Sequence, residues 1–156
     1  MPQNNWNELF IIENNSIINK DFKKYKIHNA SGTNGSTGYV GICRITIKAN
    51  YKNSPIRFKI SQRGMDGGEI MIRFANANST DPTLAAIKVY GSLKEVQLVK
   101  LSTSQWVLYV QKSESYDSID VVDFNMGSYM NNVDIEWTNL FSSSSPGGTI
   151  ATVVWS

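Results

Sequence analysis

Residues able to carry out acid–base, nucleophilic or metal chemistry are few in this chain, and their spacing limits what they can do. Its one histidine, His28, stands at the edge of an Asn-Gly-Ser stretch, and its one cysteine, Cys43, lies within an apolar alternation. A catalytic histidine needs a nucleophile to activate or a carboxylate to orient it, and no motif supplies either for His28. His28 and Cys43 lack the paired spacing of a zinc motif, and a lone thiol on the apolar face of a strand behaves as a small core residue. Glycoside hydrolysis runs on paired carboxylates, for which Asp117, Asp120 and Asp123 in YDSIDVVDF and Asp134 with Glu136 in VDIEW are the candidates. Two residues apart on a strand, Asp134 and Glu136 share an outer face, the pattern of a solvated surface. Asp117 and Asp66 sit at turns, where Asp caps backbone amides. Asn76, Asn78 and Asp81 offer oxygen atoms to calcium, yet one carboxylate makes a weak site and the EF-hand spacing is absent. The run GTNGSTG over Gly32–Gly38 lacks the Lys-Ser/Thr of a phosphate-cradling loop. The expectation is a protein with no catalytic residue, no metal and no cofactor.

Binding is the chemistry that remains. Tyr90, Tyr109, Tyr116, Tyr129 and Trp155 are more aromatics than a core requires, several of them at strand ends or loops. An exposed ring offers an apolar face to the C–H face of a sugar, with Asn and Asp beside it for the hydroxyls. The expected ligand-binding set is therefore Tyr90, Tyr109, Tyr116, Asp117 and Tyr129 with Asn76, Asn78 and Asp81. The same rings would equally suit an interface between identical subunits, where Tyr and Trp are enriched.

These residues must be positioned by strands. Tyr39–Phe74 holds three runs of alternating apolar and polar residues, separated by turn formers at Asn50–Pro55 and Arg63–Gly68. A period of two buries one face and wets the other. Gly41, Cys43, Ile45, Ile47 and Ala49 share a face opposite Arg44, Thr46 and Lys48. Ile56, Phe58 and Ile60 oppose Arg57, Lys59 and Ser61, and Ile70, Ile72 and Phe74 oppose Met71 and Arg73. The reading is an antiparallel meander with a basic exterior. That exterior could meet an anionic glycan, but cross-strand Lys and Arg also discourage edge-to-edge aggregation, which is the weightier explanation.

Before the meander, residues 1–20 read as an Asn-rich arm or short strand, with a brief helix at Trp6–Phe10 as an alternative. Phe22–Ile27 reads as an imperfect strand and Asn29–Gly38 as a loop, mobile or packed on another subunit. After the meander come the loop Ala75–Ala86, with room for a short helix at Thr83–Ala86, and strands at Ile87–Tyr90, Glu95–Leu101, Gln105–Gln111 and Ser118–Asn125. Both faces of Gln105–Gln111 are partly apolar, so that strand is expected to be central or covered on each side. Strands at Val133–Trp137 and Thr149–Trp155 flank a flexible Asn139–Gly148 segment. About ten strands with a turn every 8–12 residues indicate an all-β protein, an antiparallel, jelly-roll-like β-sandwich over residues 21–156.

Totals agree with a single domain. The 156 residues are 41% hydrophobic and 18% charged with a net charge of +2. The balance is too mild for nucleic acid, which requires clustered Lys and Arg. Apolar runs fall far short of the roughly 20 residues of a membrane span, so no membrane partner is expected. Met1-Pro2-Gln3-Asn4-Asn5-Trp6 has no basic-then-apolar leader pattern.

The order Phe58-Lys-Ile-Ser-Gln-Arg-Gly64, Ile70–Phe74, Asn78–Pro82, Trp106–Lys112, Tyr116–Ile119 and Ile135–Trp137 resembles a recurring module. It is similar to the C-terminal domain of tail-fibre, tail-spike and neck-appendage proteins from phages of Gram-positive hosts, over roughly residues 22–140. The resemblance implies a β-sandwich, often trimeric, at the tip of a fibre in the virion, made in the host cytoplasm. It implies recognition of a host cell-surface glycan or wall polymer. The alternatives are trimerisation or intramolecular chaperoning of a fibre, and a carbohydrate-binding module or small glycan hydrolase using Asp120, Asp123 or Asp134 with Glu136. Chaperones of this kind are released by self-cleavage at an upstream junction. No residue of this sequence matches that junction, so that role is not carried over.

Overall fold

The computed structural model describes residues 27–32, 36–48, 55–62, 66–74, 82–90, 94–113, 118–126 and 133–154. The arm at 1–20 and nearly all of the strand expected at Phe22–Ile27 lie outside them. Ten strands follow in chain order: β1 (His28–Ala30), β2 (Tyr39–Ile47), β3 (Pro55–Gln62), β4 (Asp66–Arg73), β5 (Thr83–Tyr90), β6 (Glu95–Ser102), β7 (Gln105–Gln111), β8 (Ile119–Asn125), β9 (Val133–Ser142) and β10 (Thr149–Val154). They form two five-stranded antiparallel sheets, ordered β1-β8-β3-β4-β5 and β10-β6-β7-β2-β9. The all-β antiparallel sandwich of about ten strands is therefore the fold.

Alternation fills the space between the sheets. Ile56, Phe58, Ile60, Ile70 and Ile72 from the first sheet meet Val40, Ile45, Leu98, Trp106, Leu108 and Val110 from the second, each 2% exposed or less. At about 25 cal/mol per Å2 of apolar surface removed from water, side chains of this size contribute roughly 1.5–3 kcal/mol each. At one edge the sheets are joined by aromatic contacts. His28 of β1 stacks on Trp137 of β9 with ring centres 5.4 Å apart, and Trp137 meets Phe58 and Phe124 edge-on. At one end the junction is polar. Buried Gln62 donates from Nε2 to Ser113 Oγ at 2.8 Å and accepts from the Ser113 amide at 3.1 Å. Lys112, fully buried, donates from Nζ to the Ser31 carbonyl at 3.2 Å.

Several sequence expectations are corrected. The Tyr39–Phe74 meander is not one sheet: β2 pairs with β7 and β9, whereas β3 and β4 pair with each other in the opposite sheet. Alternation specifies which face of a strand is buried, not which neighbour it takes, so a crossover between sheets leaves no local trace. A register shift between Gly41 and Cys43 also breaks the expected common face. A Cβ on Gly41 would meet Tyr109 at 3.1 Å and Leu140 at 3.0 Å on the outer surface, while Cys43 points into the core. Thr83–Ala86 is strand rather than helix, because it pairs with Leu84 opposite Ile72 and Ala86 opposite Ile70. Strand β9 continues through Asn139–Ser142, where Leu140 and Phe141 pair with Gly41 and Val40.

The Asn29–Gly38 loop is corrected at its start, since Asn29 and Ala30 belong to β1. Its described ends pack on their own chain. Gly38 and Gly32 both press against the Phe141 ring, so that an added Cβ at either would sit 2.8 Å from it, and Gly32 does so at a φ of 62°. Only glycine combines that backbone with that approach. In the second sheet β7 is the middle strand, as its two apolar faces required.

Candidate functional site

The outer face of the first sheet holds a groove that the local sequence builds in three steps. The floor comes first. Ser61 of β3 lies opposite Asp120 of β8 on one side and Gly67 of β4 on the other, so the sheet surface is low where side chains are small. The walls come from two bulges. A register shift between Lys59 and Ile60 leaves Val122 as an extra residue of β8, and one between Gly67 and Gly68 leaves Val89 as an extra residue of β5. A bulge re-aims side chains that strict alternation would place elsewhere. Val122 is accordingly 41% exposed and Val89 69%. Three interstrand steps of ~4.8 Å put ~14 Å between the two bulged strands.

Charge supplies the third part. Asp123, Lys59, Glu69 and Ile87 form one row across β8, β3, β4 and β5, and Asn125, Arg57, Met71 and Ala85 form the next. Lys59 Nζ lies 4.0 Å from Asp123 Oδ2, while Asp123 Oδ1 accepts the Phe124 amide at 2.9 Å. The groove thus has two continuous halves. One, of about 440 Å3, runs over Ser61 and Gly68 between Val89 and Val122. The other, of about 420 Å3, is lined by Pro55, Arg57, Asp123 and Asn125. Both include Lys59 and Glu69. Asp120, 7% exposed, is held at the groove's margin by Asn29 Nδ2 at 2.5 Å, which also donates to Ser118 Oγ at 2.7 Å.

Of the residues expected to bind a ligand, Tyr116, Asp117, Tyr129, Asn76, Asn78 and Asp81 lie outside the described residues. Tyr90 and Tyr109 belong to different sheets. Tyr90 pairs with Gly67 in β5, in the row of the groove floor. Tyr109 is half-buried over Gly41 on the far side of the sandwich, where its ring fills the space a side chain would take. Burial raises its hydroxyl pKa, partly offset by the nearby Arg44 guanidinium. Burial likewise pushes the Cys43 thiol up, which keeps it protonated and inert. His28 is a strand residue rather than a loop edge, and its Nε2 is 2.6 Å from the Thr138 carbonyl.

The acidic candidates divide in the same way. Asp134 and Glu136 are exposed on β9 and ion-paired with Lys48 at 3.1 Å and Arg44 at 2.6 Å, which also neutralises the basic face of β2. Asp120 and Asp123 share the groove face of β8. Among the described residues, no group of three or more His, Cys, Asp or Glu is placed to hold a metal ion. Sequence reasoning missed Ser61, Glu69, Val89 and Val122 as groove residues. The Val121-Val122 doublet and the Gly67-Gly68 pair were the available signals, since each interrupts a two-residue period.

No protein-family model and no curated protein sequence matches this chain. Among solved structures it is similar to WceF of Pantoea stewartii, described as a glycan biofilm modifying enzyme with a bacteriophage tailspike-like parallel β-helix fold. The TM-score is 0.57 at 5% sequence identity, and the match takes in 80% of this chain but only 21% of that one. At that identity the likeness is one of fold, and the chain spans about a fifth of the relative's length.

Proposed function

We propose that this chain is a glycan-binding β-sandwich, the terminal module of a phage tail fibre or appendage, and that it recognises a host cell-surface polysaccharide without cleaving it. The observation carrying this reading is the open groove on the first sheet, with its small-residue floor, two outward valines and flanking polar row. Sugars present both C–H-rich faces and hydroxyls, and a site for them needs apolar surface and hydrogen-bonding groups side by side. The sequence resemblance to phage fibre tips and the fold likeness to a tailspike-like, glycan-modifying protein support it. Three copies on one fibre would raise weak single-site binding through effective concentration. Purified protein should be retained by cells of a susceptible host and released by their soluble wall polysaccharide. Retention that persists on cells stripped of surface glycan would overturn the reading, and release of reducing ends from the polysaccharide would make the protein an enzyme instead.

A second reading, a trimerisation module with no ligand of its own, draws on Ile87 and Val89. They are 60% and 69% exposed on β5, the edge strand of the first sheet. If it holds, Val89→Asp abolishes the trimer seen by light scattering. If the groove binds glycan, that variant loses binding while the oligomer survives.

A further inference from the structure

Resting on the glycan reading, the charges of the groove narrow the ligand's class. Lys59 stands between Glu69 and Asp123, its two direct neighbours across the sheet. Elsewhere, Arg44 and Lys48 are committed to Glu136 and Asp134. Among the described residues Arg57 takes part in none of these ion pairs. It is exposed, it lines the polar half of the groove, and it is two residues from Lys59 on the same face. A guanidinium presents a planar fork that matches a carboxylate through two parallel hydrogen bonds.

The groove as a whole is not a polyanion site. Arg57 and Lys59 are balanced by Glu69 and Asp123, so a polymer charged at every unit would meet two carboxylates for two cations. One negative group placed at Arg57 sits beside Asn125 and Met71, a row away from Glu69 and Asp123, although both acids line the same half. Beside it, the described residues lining the half between Val89 and Val122 carry charge only at the shared Lys59 and Glu69 end, with the buried Asp120 tied to Asn29 at the margin. This half suits a neutral sugar lying on its C–H face. From Arg57 to Ser61 the strand rises ~13 Å, enough for more than one sugar unit. We infer that the ligand is a sparsely acidic polysaccharide, with a uronate carboxylate on Arg57 and a neutral neighbouring sugar between Val89 and Val122.

The test is titration of the full chain, followed by amide chemical shifts, with three probes. These are an oligosaccharide alternating uronate with neutral hexose, the same oligosaccharide with its carboxyls reduced to alcohols, and a glycerol-phosphate oligomer. The uronate form is expected to bind roughly tenfold tighter than the reduced form, the worth of a charge-assisted hydrogen-bonded contact. Arg57→Gln is expected to erase that difference, and Val122→Thr to weaken both sugars by a common factor. Both positions are exposed, so unchanged melting temperatures will show intact folding. Equal binding of the two oligosaccharides, a preference that survives Arg57→Gln, or tighter binding of the glycerol-phosphate oligomer overturns the inference and leaves glycan binding standing. If none of these probes binds and soluble host polysaccharide also gives no shifts, glycan binding falls as well.

Discussion

The outward faces of the two sheets have similar strands beneath them and opposite fates. On the second sheet Val99 and Val107 point away from the core yet are 4% and 1% exposed. Tyr39 donates to Glu95 at 2.7 Å, Gln97 donates to the same carboxylate at 2.6 Å, and Gln97 and Ser145 bond to each other. Over these residues of β6 and β7 that surface is closed and its polar groups satisfy one another, while Asp134 and Glu136 at its β9 edge stay in solvent, paired with Lys48 and Arg44. On the first sheet Val89 and Val122 stand in solvent above small residues, beside a row of charges. Apolar exposure on a low floor marks a surface made to be covered by something else. A β-sandwich has two such faces to use, and here one stabilises the fold while the other is the face we propose for a ligand.

Removing what both faces share gives the largest effect. Phe58→Ala opens a cavity among Phe124, Trp137 and the core isoleucines and should cost about 3–5 kcal/mol by denaturant unfolding. Binding should be lost with it only as the protein unfolds. A matched pair then separates the faces. Val107→Thr buries a hydroxyl and should cost about 1–3 kcal/mol. Val122→Thr, the same exchange in solvent, should change stability by less than about 0.5 kcal/mol while weakening glycan binding. Equal costs at the two sites would erase the distinction drawn between the faces. Smaller still, Glu136→Gln breaks an exposed pair with Arg44, which should cost no more than about 1 kcal/mol and leave binding untouched.

The subtlest test is pH. Burial, reinforced by its hydrogen bond to Glu95, pushes the Tyr39 hydroxyl from 10.0 up to about 12. Folding thus favours the protonated phenol. Its contribution is complete below pH 10 and is lost as pH rises from 10 towards about 12, because the unfolded chain ionises first. Tyr39→Phe should flatten the fall in unfolding midpoint across that window, leaving a residue from Tyr109. An unchanged pH profile would mean that Tyr39 is more open to water than the closed face implies.

Much of this was legible in the chain. Alternation in Ile56–Ser61 and Ile70–Arg73 assigned inward and outward residues correctly, and the two apolar faces of Gln105–Gln111 marked a covered central strand. Asp134 and Glu136 were rightly read as a solvated face. Where the period failed, so did the reading: the bulge at Gly41–Cys43 moved a glycine outward, and those at Val122 and Val89 made the groove walls. Thr83–Ala86 was ambiguous because its helix-compatible residues become strand only through pairing with β4.

The sequence by itself determined the fold class, the face each regular strand buries, and the inert core placement of Cys43. These depend on a two-residue period, and that period is local. The tertiary structure alone decided that β2 leaves its neighbours for the other sheet, that His28 closes an edge on Trp137, and that Arg57, Glu69, Val89 and Val122 share one groove. Such relations join residues tens of positions apart. They are fixed by hydrogen-bond register and sheet packing, to which a chain read residue by residue gives no direct access.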